Sequence, residues 1–217
     1  MTTHDTKYKS RGTNPQTKKR FVIWDIGGVL IDFQEAYYYR DLAKLSGLEK
    51  GFIEKKLDPL VDRLDLGKLR VDDFERTAAK ILSIRKKDIR WLDYFKENSP
   101  IIDGVINIAQ NMPKDIHQGI LTNNDKSRHR YTTKVLTQLA DFENIFTSSH
   151  IHLRKPDPGI YRYMLRKLDA KPAEVVFVDD KERNVHGARR VGIDAIKYEN
   201  PELLVKELEK RSIHLRR

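Results

Sequence analysis

Acidic, hydroxyl and ammonium side chains occur at four separate places along this 217-residue chain, where they could share one chemical task. Separated carboxylates can hold Mg²⁺, which prefers oxygen ligands, and a further carboxylate can attack phosphorus as a nucleophile. A hydroxyl, a backbone amide and a lysine can hold the remaining phosphoryl oxygens in the transition state. This set is typical of phosphoryl transfer, and its members are Asp25, Thr122 with Asn123, Lys155, and Asp179 with Asp180.

The order of apolar runs predicts how the chain positions these groups. Short β-prone runs alternate with helical segments, which predicts an α/β fold with a doubly wound, Rossmann-like parallel sheet covered by helices on both faces. Ligands bind such a sheet at the carboxyl ends of its strands, so we expect the candidate groups to line one crevice. The predicted strands are residues 21–24, 118–122, 145–148, 175–178 and 195–197.

A long stretch between the first two predicted strands, residues 34–98, has apolar side chains at helical spacing only. Breaks predicted at Gly47, Pro59, Gly67 and Ser83 divide it into about four helices. Because this block interrupts the alternation of strands and helices, we interpret it as an inserted small helical subdomain. Residues 21–33 and 99–217 then form the α/β core.

Composition excludes several classes of protein. The chain has no cysteine, which rules out disulfides, thiolate zinc sites and cysteine nucleophiles. No apolar run approaches the ~18 residues that a membrane-spanning helix needs, and the amino terminus does not have the pattern of a secretory signal. We therefore expect a cytoplasmic protein that does not enter a membrane.

The net charge of +10 is unevenly distributed. Residues 1–20 contain six basic residues and one acidic residue without hydrophobic periodicity, which predicts a basic, disordered tail. A solvated tail is favoured over nucleic-acid binding, because no nucleic-acid motif follows. The remaining positive charge suits a small anionic substrate. A basic cluster of Lys126, Arg128 and Arg130 would either attract such a substrate or form a solvated face.

Four short segments also follow one another in a familiar order: FVIWDIGGVL at 21–30, ILTN at 120–123, RKPDP at 154–158 and VVFVDD at 175–180. They resemble the four motifs of the haloacid dehalogenase-like hydrolase superfamily, and the resemblance spans roughly residues 21–200. The helical block is similar to the small cap of that family. The chain looks most like the bacterial sugar-phosphate (glucose-1-phosphate) phosphatases, which share an Asp-x-Gly form of the first motif.

The resemblance implies a Mg²⁺-dependent phosphatase that acts on a small phosphorylated metabolite, with a sugar phosphate favoured, through an aspartyl-phosphate. Removal of halide from a small acid also uses an aspartate nucleophile but needs no Mg²⁺, so the acidic pair speaks against it. The resemblance further implies that Asp25 is the nucleophile and a metal ligand, and that the Gly27 carbonyl is a metal ligand. It implies that Thr122 and the Asn123 amide hold the phosphoryl group, while Lys155 neutralises the charge of nucleophile and phosphate. Asp180 would be the main second metal ligand, with Asp179 beside it.

Gly27 departs from the family pattern, because most phosphatases of the family have a second aspartate two residues after the nucleophile. That aspartate supplies general acid–base catalysis, which is worth roughly 10²–10⁴-fold. The substrate could have a good leaving group, such as an anomeric sugar oxygen. A cap carboxylate could substitute, with Glu35, Asp58, Asp62 and Asp65 as candidates. Alternatively, the protein hydrolyses poorly and acts as a binding or regulatory module.

Structural roles compete for some of these residues. Thr122 could be the N-cap of the helix that follows it, and Asp179 with Asp180 could cap the helix that starts near Glu182. Two adjacent carboxylates at a strand end repel each other unless a cation lies between them, which favours the metal role for the pair.

Overall fold

The computed structural model describes residues 19–216, and a parallel five-stranded sheet lies at its centre. Its strands are β1 (Phe21–Trp24), β2 (His117–Thr122), β3 (Asn144–Thr147), β4 (Val175–Asp179) and β5 (Asp194–Lys197). The strand order is β3-β2-β1-β4-β5, and every pairing is parallel. Because the chain places β2 on one side of β1 and β4 on the other, the carboxyl ends of these strands meet at a topological switch point.

Four α-helices follow β1 within the range predicted for the cap, namely α1 (Glu35–Ser46), α2 (Lys50–Asp65), α3 (Val71–Leu82) and α4 (Trp91–Glu97). They enclose an apolar cluster of their own that includes Tyr38, Phe74 and Trp91. The predicted breaks at Gly47, Gly67 and Ser83 are confirmed, and all three residues have positive φ.

The break predicted at Pro59 is wrong, because Pro59 lies inside α2. A proline in a helix removes one hydrogen bond to the carbonyl four residues earlier. Here that carbonyl belongs to Lys55, and both residues are exposed, so water can replace the missing donor. Exposure, which the local sequence does not reveal, makes this proline tolerable.

The remaining helices cover the two faces of the sheet. Because strand residues alternate between faces, Val22 and Trp24 pack into one apolar cluster, whereas Phe21 and Ile23 pack into the other. The remaining helices are α5 (Asp103–Gln110), α6 (Lys126–Leu139), α7 (Ser148–Ile151), α8 (Pro158–Leu168), α9 (Glu182–Arg189) and α10 (Pro201–Glu209). The first cluster includes residues from α5, α6 and α10, and the second includes residues from α8 and α9. The expected doubly wound α/β fold is therefore confirmed.

The predicted basic tail lies mostly outside the described residues, which begin at Lys19. Lys19 and Arg20 contact the core: Lys19 Nζ lies 3.1 Å from Asp194 Oδ2, and the Arg20 N–H donates to the Glu174 carbonyl at 2.8 Å. Within residues 19–216, none of the helices combines the length and apolar character needed to cross a bilayer.

Candidate active site

Asp25 follows β1 directly and is fixed at the carboxyl end of the sheet. Its N–H donates to the Val178 carbonyl of β4 at 2.9 Å, and the Ile26 N–H donates to its Oδ1 at 2.7 Å. All four residues of β1 are buried, so the strand anchors this carboxylate rigidly. Asp25 itself is only 6% exposed, which makes its ionisation dependent on nearby cations.

Lys155 supplies such a cation. Its Nζ lies 2.7 Å from Asp25 Oδ1 and 2.7 Å from Asp179 Oδ2. The side chain of Asn123 holds the lysine backbone from both sides, because Asn123 Nδ2 donates to the Lys155 carbonyl at 2.9 Å and the Lys155 N–H donates to Asn123 Oδ1 at 2.8 Å. Asn123 therefore positions Lys155, a role that the sequence did not indicate.

Thr122 is the last residue of β2 and is buried beside the same crevice. The N-cap of α6 is Asp125, whose side chain accepts the N–H groups of Ser127 and Arg128 at 2.7 and 3.1 Å. The alternative that Thr122 caps this helix is therefore wrong.

Asp179 and Asp180 differ in how far the protein satisfies them. Asp179 Oδ1 accepts the Lys181 N–H at 2.8 Å and Asn184 Nδ2 at 2.9 Å, while its Oδ2 pairs with Lys155. Asp179 thus accepts a hydrogen bond from Lys181, the residue that precedes α9, and it also orients Lys155. Asp180 Oδ1, by contrast, is buried without a hydrogen-bond partner among the described residues.

Gly28 allows the turn after β1 to approach Asp180 closely. Its φ is +76°, and a Cβ at this position would lie 2.4 Å from Asp180 Oδ2. Only glycine combines this backbone conformation with this contact. The turn therefore brings the acidic pair of β4 against Asp25.

The three carboxylates form a site that fits a hard divalent cation. One oxygen each from Asp25, Asp179 and Asp180 lies within 4.8 Å of the others. Burial raises the pKa of Asp25 against the lowering effect of Lys155, and the two neighbouring aspartates raise it further. Burial also raises the pKa of Asp180. A divalent ion would offset this repulsion and bond the unpartnered Asp180 oxygen, and the all-oxygen donor set suits Mg²⁺.

The cleft above these groups has a volume of about 210 Å³ and lies between core and cap. The core contributes Asp25, Gly27, Thr122, Asn123 and Lys155, which are five of the seven predicted site residues, and Asp179 and Asp180 adjoin them. A larger cavity of about 870 Å³ lies near Lys19 and Asp194, before the amino ends of the strands and away from the carboxylates.

The cap lines the cleft with one face of α2. Asp58, Val61, Asp62 and Asp65 follow at helical spacing, and Glu35 at the start of α1 joins them. Burial would raise the pKa of Glu35, but Lys181 and Arg128 outweigh it and lower this pKa to about 2, so Glu35 stays ionised at neutral pH.

The other three cap carboxylates have different partners. Asp62 pairs with Arg154 at 2.5 Å, and Asp58 accepts the Tyr39 hydroxyl at 2.8 Å. Burial raises the pKa of Asp65 to about 7, although Arg128 opposes this shift. Of the four candidate acids, Asp65 is therefore the one whose raised pKa allows it to carry a proton near neutral pH.

Arg128 connects α6 to the cap. Its Nε donates to Asp125 at 2.7 Å, its terminal nitrogen donates to Asp65 at 3.0 Å, and its guanidinium lies 4.5 Å from the Trp91 ring centre. Trp91 Nε1 also donates to Asp125 at 2.9 Å. The solvated-face interpretation of the basic cluster is wrong for Arg128, which is buried and lines the cleft, whereas its neighbours Lys126 and Arg130 are exposed.

Comparisons with known proteins agree with this architecture. A model of the haloacid dehalogenase-like hydrolase family matches residues 22–198. Acyl-CoA dehydrogenase family member 10 of Mus musculus is 27% identical over 203 residues, which cover 88% of this chain but only 19% of that protein. D-ribitol-5-phosphate phosphatase of Bacteroides thetaiotaomicron is 24% identical over 199 residues, which cover 82% of this chain and 91% of that protein.

Solved structures share the fold. A predicted HAD-like family hydrolase from Porphyromonas gingivalis superposes with a TM-score of 0.72 at 20% identity, over 89% of this chain and 98% of that one. A HAD-family enzyme of B. thetaiotaomicron in complex with magnesium and inorganic phosphate gives a TM-score of 0.68 at 18% identity, over 83% and 94% of the two chains. Since the family match spans all five strands except Phe21 and includes every residue of the carboxylate site, this chain belongs to the haloacid dehalogenase-like hydrolase family.

Proposed function

We propose that this chain is a Mg²⁺-dependent phosphomonoester hydrolase that acts on a small phosphorylated metabolite through an aspartyl-phosphate at Asp25. One observation carries the proposal: Asp25, Lys155 and the unpartnered carboxylate of Asp180 meet in a single crevice. The phosphatase named among the relatives and the magnesium and phosphate complex of the structural neighbour support it.

The chemistry has two displacements at phosphorus. An oxygen of Asp25 attacks the phosphorus atom, the bond from phosphorus to the ester oxygen breaks, and the departing oxygen takes the electron pair and then a proton from Asp65 or from water. Thr122 Oγ and the Asn123 N–H would donate to phosphoryl oxygens, while Lys155 offsets their charge. Water then attacks the phosphorus of phospho-Asp25, which releases inorganic phosphate and restores the carboxylate.

The metal site would be completed by residues at the carboxyl ends of two adjacent strands, β1 and β4. Asp25 and Asp180 would hold Mg²⁺ together with the Gly27 carbonyl, and Asp179 would lie beside them. When bound, the ion neutralises charge on the phosphoryl group and orients it for attack. Asp179 contributes chiefly by holding Lys155, because its oxygens already accept several hydrogen bonds.

The leaving group explains how the site works with Gly27. An anomeric sugar oxygen leaves more readily than an alkoxide and needs little proton donation, and Asp65 supplies a buried acid on the cap side of the cleft. The cleft is small, and charged or amide side chains dominate its lining. Both features favour a sugar phosphate over a long apolar or a large aromatic ester.

Gly27 also favours a second function, in which the same fold binds a phosphorylated ligand without turning it over. Such a binding or regulatory module would keep its ligand after Asp25→Asn and would release no phosphate. The buried contact between Lys155 and Asp25 favours catalysis, because a binding module has no need of an anchored nucleophile.

Phosphate release from a panel of sugar phosphates tests the proposal. We expect turnover with MgCl₂, loss on chelation, and a loss on the order of 10³-fold or more in Asp25→Asn. Asp169→Asn is a matched control, because Asp169 is exposed at the end of α8 in a left-handed conformation that asparagine tolerates. Absence of turnover by folded protein on every ester, together with binding that survives Asp25→Asn, would establish the binding module instead.

A further inference from the structure

Basic side chains line the cleft in greater number than the reaction at phosphorus requires. They are Lys155, Arg128, Arg154, Lys181 and Arg183. The phosphoryl group needs Lys155, which lies against the nucleophile. The other four cations therefore need a different explanation.

Three of these four are neutralised by the protein. Arg128 pairs with Asp125 at 2.7 Å, Arg154 pairs with Asp62 at 2.5 Å, and Lys181 pairs with Glu35 at 3.3 Å. The ion pair of Arg154 joins the core to α2, and the ion pair of Lys181 joins the core to Glu35, the first residue of α1. Acidic side chains of the protein therefore already compensate these three charges.

Arg183 differs from all of them. Among the described residues its side chain has neither a hydrogen bond nor an ion pair, and it is exposed at the rim of the cleft. It also lies in the first turn of α9, where the positive end of the helix dipole disfavours a cation. Its charge repels that of Lys181 and so opposes the rise in the pKa of Lys181 that Glu35 causes. Arg183 thus carries a charge that the fold alone does not favour.

An anion bound in the cleft would compensate the unpaired positive charge of Arg183. The planar guanidinium offers paired donors that match the oxygens of a carboxylate or a phosphate. With the reacting phosphoryl group at Asp25, the rest of the substrate extends from the floor of the cleft to its rim, where Arg183 lies. We propose that Arg183 binds a second anionic group, a carboxylate or a further phosphate, on the leaving-group part of the substrate. The proposal rests on the proposed phosphatase function.

Matched substrate pairs test this role. Glycerol 3-phosphate against 3-phosphoglycerate tests a carboxylate, and fructose 6-phosphate against fructose 1,6-bisphosphate tests a phosphate. For the wild type we expect a lower KM for the member with the second anion in at least one pair. Arg183→Gln should raise that KM by about tenfold, a typical effect of losing one charge-assisted contact. Its kcat and the KM of the singly phosphorylated partner should stay within about twofold, because Lys155 remains intact.

Arg162→Gln is the control for net charge, because Arg162 is also exposed but lies outside the cleft. An equal rise of KM in this variant would overturn the proposal by showing general electrostatic attraction. An unchanged KM ratio in Arg183→Gln would also overturn it. Arg183→Lys should retain part of the preference, and the melting temperature of Arg183→Gln should equal or exceed that of the wild type, which a structural role would not allow.

A binding measurement separates this proposal from the phosphatase function. Calorimetry with the same four compounds and MgCl₂, on Asp25→Asn and on Asp25→Asn with Arg183→Gln, reports affinity without turnover. Tighter binding of a second anion that requires Arg183 supports the proposal even if no ester is hydrolysed. Equal affinities in the two proteins would contradict it even if hydrolysis is fast.

Discussion

Gly27 and Gly28 are neighbours in the turn after β1, yet the absence of a side chain has a different consequence at each. At Gly28 a Cβ would collide with Asp180 and the backbone has positive φ, so glycine is required for the carboxylates to meet. At Gly27 a Cβ would lie 3.1 Å from the Phe33 carbonyl, a tight contact that a small adjustment can relieve. Gly28 thus allows the three carboxylates to approach one another, whereas Gly27 leaves the site without a side chain for general acid–base catalysis.

Gly27→Asp should restore general acid–base catalysis. If the new carboxyl group reaches the ester oxygen, kcat for alkyl phosphates should rise by roughly 10²-fold, the lower end of what such catalysis supplies. p-Nitrophenyl phosphate, whose leaving group needs no proton, should gain little. The ratio of the two kcat values measures the effect independently of enzyme concentration, and an unchanged ratio in a folded variant would show that the carboxyl group does not reach the leaving oxygen.

Gly28→Ala should weaken metal binding, and Gly47→Ala is its control. Both glycines have positive φ, so each substitution costs about 1 kcal/mol of stability through backbone strain. Around Gly47, however, a Cβ would meet no described heavy atom within 4 Å. Calorimetric titration with MgCl₂ should show reduced affinity for Gly28→Ala alone. Equal Mg²⁺ affinity in the two variants would mean that the turn does not position Asp180.

At the scale of elements, the sequence predicts strands and helices better than it predicts their contacts. The alternation of apolar runs identifies all five strands of the described sheet, and therefore the edge at which Asp25, Thr122 and Asp180 meet. The family resemblance gives Asn123 a role through its backbone amide, because nothing in the local sequence indicates that its side chain holds Lys155. That contact joins residues 32 positions apart and depends on the packing of two loops.

Arg128 is a second residue whose tertiary contacts, here with the cap helices, cannot be predicted from the local sequence. Asp125 followed three residues later by an arginine is a local signal for an N-cap ion pair, and this pair is observed. The burial of the guanidinium beneath Trp91, however, depends on where the cap helices come to rest. The apolar pattern of residues 34–98 indicates helices, but it does not predict where these helices lie relative to Arg128.

The contact of α2 with α6 through Asp65 should make stability depend on pH. The pKa of Asp65 rises from about 3.8 in the unfolded chain to about 7 in the fold, because burial outweighs Arg128. Between these values the folded state binds a proton that the unfolded state has lost. The contribution of Asp65 therefore stabilises the fold at low pH and declines as pH rises toward 7, by up to about 1.4 kcal/mol per pH unit.

Asp65→Asn removes this titration and keeps the size of the side chain. Urea unfolding at several pH values should show that the wild type loses free energy of unfolding relative to the variant between about pH 4 and pH 7. Above pH 7 the difference should be constant. Asp93→Asn, an exposed acid on α4, should track the wild type throughout. A constant difference between wild type and Asp65→Asn over the whole range would contradict the raised pKa.

At the scale of the molecule, the metal site joins parts of the chain that are far apart in sequence. Asp25 precedes the cap, whereas Asp180 lies more than 150 residues later, beyond the third motif. A cation held by both can bind the folded chain only, so its binding free energy stabilises the whole fold. At a free concentration of 100 times Kd the gain is about 2.7 kcal/mol.

Mg²⁺ should therefore raise the melting temperature by roughly 5–10 °C, given about 2–4 °C per kcal/mol for a chain of this size. Asp180→Asn should abolish this shift. Without Mg²⁺ the same variant should be at least as stable as the wild type, because it removes a buried charge that repels Asp25 and Asp179. Asp169→Asn should retain the full shift. These opposite effects of one substitution, measured by thermal unfolding with and without MgCl₂, distinguish a metal ligand from a structural aspartate, whose replacement would destabilise the protein in both conditions.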